Sequence, residues 1–270
     1  MNSSLARFIA SSALFFVVVF TACSSLAGTR GDRLAPFFDR QSNPVEVSFP
    51  RERPVDITPV PPVLNAFDRA VLDTCGPLGS RVSREQFQYL MRQHPQVLAR
   101  VKDAVGGALR GDRGSNTQFL EDLTDIWFDR HGFDHIFCGE IEGNNRIGGL
   151  HFVGRYWELQ DLAIAGRLPN NARREEVVPG AIYTLGVLVR LGDREIADDL
   201  KGYPYLTNAE EMLVEVTRAF KRQGSAEGAC LLSVRDRETG TSYPAVFVKS
   251  RNAIVTFYPD STPRGRSCRR

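Results

Sequence analysis

The chain has 270 residues, 42% hydrophobic and 24% charged, the composition of a globular protein with a substantial core, which excludes disorder over most of its length. Its 34 Lys and Arg stand against 32 Asp and Glu for a formal charge of +2, so no chain-wide basic field holds it to duplex nucleic acid, and any nucleic-acid contact must be local. Three of its four histidines, His131, His135 and His151, are bunched near the middle.

Arg7 followed by the apolar run Phe8 to Phe20 reads as an export signal within residues 1–27. The run is short for a membrane span and suits the core of a signal peptide. Phe20-Thr21-Ala22-Cys23 resembles a bacterial lipoprotein cleavage box. The leader is therefore expected to be simply cleaved, giving a secreted protein, or to leave a lipidated Cys23 that attaches the chain to a membrane, with an uncleaved anchor as the third alternative. The other cysteines, Cys75, Cys138, Cys230 and Cys268, form an even set. In an exported chain one or two disulfides are expected, with three complete pairings open; the alternative for Cys138 and Cys230 is a small buried thiol.

Residues 28–62, rich in Pro, Arg, Asp and Ser without either period, read as a linker or extended arm. The globular domain is expected over 63–263, followed by a basic tail over 264–270. Ser83 with Gln86 predicts a capped helix carrying Phe87, Leu90 and Met91 until Pro95 interrupts. A second helix, capped by Asn116 or Thr117, carries Phe119, Leu120, Leu123, Ile126 and Trp127. Strands are expected at Ile136 to Ile141, Ile147 to Val153, Ala181 to Val189, Cys230 to Val234, Ala245 to Val248 and Ala253 to Tyr258. One helix interrupts them, capped by Asn208 with Glu211 at its third position. Helices first and antiparallel sheet afterwards make an α+β order.

The informative stretch is Gly132-Phe133-Asp134-His135-Ile136-Phe137-Cys138-Gly139-Glu140, followed after Gly143-Asn144-Asn145 by Ile147-Gly148-Gly149-Leu150-His151. Read as a hairpin centred on Gly143, it makes His135 and His151 cross-strand neighbours with Cβ atoms roughly 5 Å apart. Two imidazoles so placed divide a proton transfer, one neutral as base and one charged as acid. A phosphodiester beside a 2'-hydroxyl suits such a pair, and only RNA supplies that hydroxyl.

Gly-Phe-Asp-His-Ile-Phe-Cys-Gly-Glu is similar to the Gly-Phe-Glu-His-Val-Phe-x-Gly-Glu signature of the EndoU family of uridylate-preferring endoribonucleases, and His151 follows at that family's spacing. Leu-Lys-Gly-Tyr around Lys201 and Ile254-Val255-Thr256-Phe257-Tyr258-Pro259 resemble later family motifs. The resemblance implies a helical region followed by antiparallel sheet subdomains in two lobes like those of ribonuclease A. It further implies His135 and His151 as general base and acid, without assigning which is which, and Lys201 as the transition-state stabiliser. Thr256 would contact base or phosphate, and Tyr258 would orient the ring or the lysine. Asp134 and Glu140 stand at the family's acidic positions, associated with Mn2+, so the cofactor expected is Mn2+ or none. The implied substrate is single-stranded RNA, cut at uridylates to leave a 2',3'-cyclic phosphate. The chain departs from the family at Leu150-His151-Phe152-Val153, where Phe-His-Asn-Trp is usual, and at Asn208-Ala209-Glu210 in place of Ser-Pro-Glu.

Other readings compete. His135 and His151 also suit satisfied strand histidines, and Lys221 and Lys249 are rivals to Lys201. A metal pair of His131 and His135 would need a helix, which Gly132 opposes. Seven basic residues between Arg81 and Arg113 form either a phosphate-facing stripe or a solvated helix face. The acidic run Glu121, Asp122, Asp125, Asp129, Asp134 and Glu140 would hold a divalent ion or act on the histidines by charge. The leading reading is an exported endoribonuclease with no protein partner. The alternatives are an inactive cell-envelope binding module of the same fold and a histidine-dependent phosphodiesterase acting on a small cyclic nucleotide.

Overall fold

The computed structural model describes residues 34–143, 145–237 and 239–269. The expected leader and Cys23 lie outside them, and among the described residues no helix is long and apolar enough to cross a membrane. From Leu34 the Pro-rich segment is a packed arm, with two short antiparallel strands, β1 (Pro44–Val45) and β2 (Val55–Asp56). Phe37, Phe38, Val47 and Ile57 are buried, and the N–H groups of Phe37 and Phe38 donate to Gln160 Oε1 at 2.6 and 2.9 Å.

Helices α1 (Ala66–Cys75), α2 (Arg84–Gln93), α3 (Pro95–Ala104) and α4 (Asn116–Phe128) follow. Ser83 and Gln86 form the expected capping box, and Pro95 opens α3 at a position where no N–H is needed. The cap of α4 is Ser115, one residue before the expected pair, because Gln118 answers it from the third position.

The expected strand Ile136 to Ile141 is instead a single π-helical turn, Asp134–Cys138, closed by Gly139 N–H to Asp134 O at 2.9 Å. Phe133, Ile136 and Phe137 are all buried, and their i, i+3, i+4 spacing is a helical signal. Gly132 belongs to this helical segment. It is required for close approach, since a Cβ there would lie 2.7 Å from Ile254 O. The hairpin shrinks to β3 (Glu140–Glu142) and β4 (Arg146–Gly148), pairing Glu140 with Gly148 and Ile141 with Ile147. Both histidines therefore lie outside it, and the expected cross-strand pairing does not occur. The expected strand Ile147 to Val153 likewise ends at Gly148, and α5 (Val153–Asp161) begins where it was to finish.

Strands β5 (Ala165–Arg167), β6 (Glu176–Val178), β7 (Ile182–Leu191) and β8 (Arg194–Pro204) form an antiparallel sheet, with β5 and β6 sharing one edge of β7 and β8 on the other. Helix α6 (Ala209–Gln223) has the expected Asn208 and Glu211 box. Strands β9 (Gly228–Arg235), β10 (Ser242–Ser250) and β11 (Ala253–Pro259) make a three-stranded antiparallel sheet. The chain is α+β. Disulfides join Cys75 to Cys138 and Cys230 to Cys268, so neither Cys138 nor Cys230 is a free thiol. Such pairs belong to oxidising compartments.

Candidate active site

Two left-handed residues bring the histidines together. Gly149 (φ 61°) and Leu150 (φ 73°) turn the chain after β4, so that Leu150 N–H donates to His135 O at 2.8 Å and His151 N–H to Ile136 O at 2.9 Å. A Cβ on Gly149 would fall 1.8 Å from His135 O, so no other residue fits there. The imidazole centroids lie 5.7 Å apart.

Each ring is held differently. His151 is 7% exposed, and its Nδ1 lies 2.9 Å from Gly202 O. A carbonyl only accepts, so Nδ1 carries the proton and Nε2 keeps the lone pair of the neutral ring. Burial, reinforced by the nearby His135 and Lys201, lowers its pKa to about 3. His135 Nδ1 donates to Glu140 Oε2 at 2.9 Å. Burial pushes the Glu140 carboxyl up, but its bonds and charge contacts with His135 and Arg81 outweigh that and leave it below the ordinary value.

Lys201, on β8, Thr256 and Tyr258, on β11, line the same cleft of about 470 Å3 as both histidines. Lys201 Nζ lies 3.1 Å from Asp198 Oδ2. The Tyr258 ring is 5.6 Å from that of His151, and its phenol is raised by burial and by Asp260. Thr256 Oγ1 is buried without a hydrogen-bond partner among the described residues. Glu142, Arg146, Glu176, Asp260 and Thr262 complete the rim. The rivals are occupied elsewhere: Lys221 Nζ donates to Leu109 O at 3.0 Å, and the buried Lys249 donates to Gly224 O. His131 is mostly exposed and His94 stands edge-on to Phe67.

Asp134 and Glu140 stand beside one guanidinium, and Asp134 Oδ2 is buried without a hydrogen-bond partner among the described residues. Asp134 Oδ1 accepts from Val82 N–H at 3.0 Å, its Oδ2 lies 3.7 Å from Arg81 Nη1, and that same nitrogen bonds Glu140. A guanidinium already supplies the positive charge. Among the described residues no group of three or more His, Cys, Asp and Glu side chains is arranged to hold a metal. The basic and acidic runs answer each other: Arg84 pairs with Asp125 and Asp129, Arg110 with Asp125, and Arg113 with Glu121 and Asp122. These residues form neither a free phosphate stripe nor a metal cluster.

Residues 129–261 match the family model for bacterial EndoU nuclease. Over that span the chain is EndoU-like. The solved structure of XendoU, described as a splicing independent snoRNA processing endoribonuclease, matches with a TM-score of 0.54 at 17% identity over 86% of this chain and 93% of that one. That likeness shows the EndoU fold. The endoribonuclease Nsp15 of Middle East Respiratory Syndrome Coronavirus aligns at a TM-score of 0.36 and 12% identity, over 77% of this chain and 48% of that one, and adds nothing to the assignment. No curated protein matches the chain in sequence. Family and fold together support an endoribonuclease, with RNA the substrate the family implies.

Sequence reading placed Arg81 only in a basic run, not beside Asp134 and Glu140, and missed Asp198 and Arg155. Arg155 is 1% exposed and donates to Cys138 O at 2.9 Å and Gly76 O at 2.8 Å, clamping both ends of the disulfide next to the π-helical turn. An isolated arginine or aspartate carries no signal of such a role in one dimension; the helical spacing of Phe133, Ile136 and Phe137 did carry one for the turn itself.

Proposed function

We propose that this protein is an exported endoribonuclease that cleaves single-stranded RNA, preferably at uridylates, by transesterification. The observation that carries the reading is the convergence of two differently held imidazoles and one ammonium on a single cleft. Nε2 of His151 takes the proton of the 2'-hydroxyl, and the 2'-oxygen attacks phosphorus. The bond from phosphorus to the 5'-oxygen breaks, and that oxygen takes a proton from Nε2 of His135. The products are a 2',3'-cyclic phosphate and a 5'-hydroxyl end. His151 suits the base because its neutral form is held by Gly202, and an anionic phosphodiester arriving beside it increases its basicity. His135 suits the acid because Glu140 supplies the counter-charge of a protonated ring. Lys201 offsets charge developing on the phosphorane oxygens. The unpartnered Thr256 hydroxyl meets the base or phosphate, and Tyr258 orients His151. With Glu140 bonded to Arg81 and His135, and Asp134 held by the Val82 N–H beside the same guanidinium, the cycle is read as running without Mn2+. Two disulfides and the leader-like N-terminus favour export, as a secreted protein or one lipidated at Cys23.

The test is cleavage of a uridine-containing oligoribonucleotide and of its 2'-deoxy counterpart. We expect cyclic-phosphate product from the first alone, at equal rates in EDTA and Mn2+, and a loss on the order of 10²–10⁴-fold in His151→Ala. Cleavage of the deoxy strand, or full activity in His151→Ala, overturns the mechanism.

A further inference from the structure

The arrangement of Lys201 depends on an irregularity in β8. Leu185 pairs with Lys201 but Val187 pairs with Asp198, so β8 carries one residue more than β7 across this step. In a regular strand, residues three apart face opposite sides of the sheet. The extra residue of the bulge cancels that alternation, and Asp198 Oδ2 meets Lys201 Nζ at 3.1 Å. The other oxygen of Asp198 accepts from Leu200 N–H at 3.1 Å inside the bulge.

Buried polar groups pin this feature. Asn171 Nδ2 donates to Asp199 O at 2.9 Å, and Gly186 N–H, opposite the bulge, donates to Glu175 Oε1 at 3.2 Å. Asn171 is 6% exposed and Glu175 is wholly buried. Gly186 has no room for a side chain, because a Cβ would lie 2.4 Å from Asn171 Nδ2. Burying a carboxylate and an amide is costly unless they are hydrogen-bonded, and here their bonds are spent holding one β-bulge. The residue that follows Lys201 is Gly202, whose carbonyl holds His151. The bulge thus sets the lysine and the neighbouring carbonyl together.

We propose that Asp198 is a positioning residue for the reaction, resting on the endoribonuclease reading above: it takes one of the three N–H donors of Lys201 and aims the other two at the scissile phosphate. It touches no substrate and acts through Lys201.

The experiment is a double-mutant cycle on RNA cleavage with Asp198→Asn and Lys201→Met, kcat and KM measured separately. The amide introduced by Asp198→Asn keeps an acceptor for Leu200 N–H and loses the charge that steadies Lys201. In the otherwise native protein, Asp198→Asn is expected to lower kcat about tenfold, the worth of one charge-assisted hydrogen bond, with KM unchanged or lower because a negative charge behind Lys201 has been removed. In Lys201→Met the same substitution is expected to change kcat by less than about twofold. An unchanged kcat in the first background, or an equal loss in both, overturns the proposal. Should Asp198→Asn fold poorly, Asp198→Ser, which also keeps an acceptor for Leu200, is read by the same criteria. Failure of the native protein to cleave RNA at all defeats the endoribonuclease reading itself, and this inference with it; an additive cycle in an active enzyme defeats only the role of Asp198.

Discussion

At the residue scale, Gly149 carries the tightest constraint near the site. Its positive φ and the 1.8 Å separation that a Cβ would have from His135 O leave Gly149→Ala no way to form the two backbone bonds that align His151. A displacement of about 1 Å at a reacting group costs on the order of 10²-fold in rate. Gly149→Ala is therefore expected to lower kcat by roughly that factor and also to lower Tm, read from cleavage kinetics and a thermal melt. His151 gives a second expectation. Its pKa is about 3 in the fold against 6.5 for an ordinary histidine, so between those values the unfolded chain binds a proton that the native chain does not. Its contribution to stability is complete above about pH 6.5 and is lost as pH falls toward 3, with a slope of at most about 1.4 kcal/mol per pH unit. The depressed Glu140 carboxyl loses its contribution in the same direction as it protonates. Urea midpoints across that range should therefore depend less on pH in His151→Gln, by about one proton, than in the native protein.

At the element scale, the π-helical turn is the piece on which the site hangs. Phe133 and Phe137 anchor it among Phe87, Trp127, Phe128 and Phe152, and the disulfide to Cys75 with the Arg155 clamp fastens its end to α1. Closing a loop of 63 residues stabilises the fold by about 4 kcal/mol in the chain-entropy account. Cys75→Ser with Cys138→Ser should lose about that much in denaturant unfolding. It should also lower kcat, since Cys138 lies between His135 and the Glu140 that holds its ring; a drop in stability with unchanged kcat would show that the disulfide does not help place His135. Strand β8 has the opposite character. Its exposed polar residues and its bulge interrupt any alternation of apolar residues, so nothing local marks it as a strand, yet it supplies Lys201 and the Gly202 carbonyl.

At the scale of the whole molecule, the charge is spent internally. The arginines at 84, 110 and 113 are paired with carboxylates of α4, and of the cleft residues only Lys201 and Arg146 carry a fixed positive charge. A protein that neutralises two phosphates of a single strand has a salt slope of log K near −1.4, taken as about −0.7 per phosphate. RNA binding by the His151→Ala protein, measured against salt concentration, is expected to give about that value; a slope several times steeper would mean that a second basic surface engages the RNA.

Much was legible in one dimension wherever the signal was local. The boxes at Ser83 and Asn208, the stripe of α4, the long strands β7, β9, β10 and β11, and the two histidines all declared themselves within a few residues of chain, because caps, periodicity and alternation are short-range physics. The sequence by itself determined an α+β chain, four cysteines besides Cys23 and an EndoU-like string of residues. Which cysteines pair, which carboxylate each arginine meets, and how His135, His151, Lys201, Thr256 and Tyr258 come to share one cleft are settled by contacts between segments far apart in the chain. Only the tertiary structure decided them. The hairpin was misread for the same reason: helical spacing in Phe133, Ile136 and Phe137 competed with strand-like composition, and packing of those rings on the aromatic core settled the contest in favour of the turn.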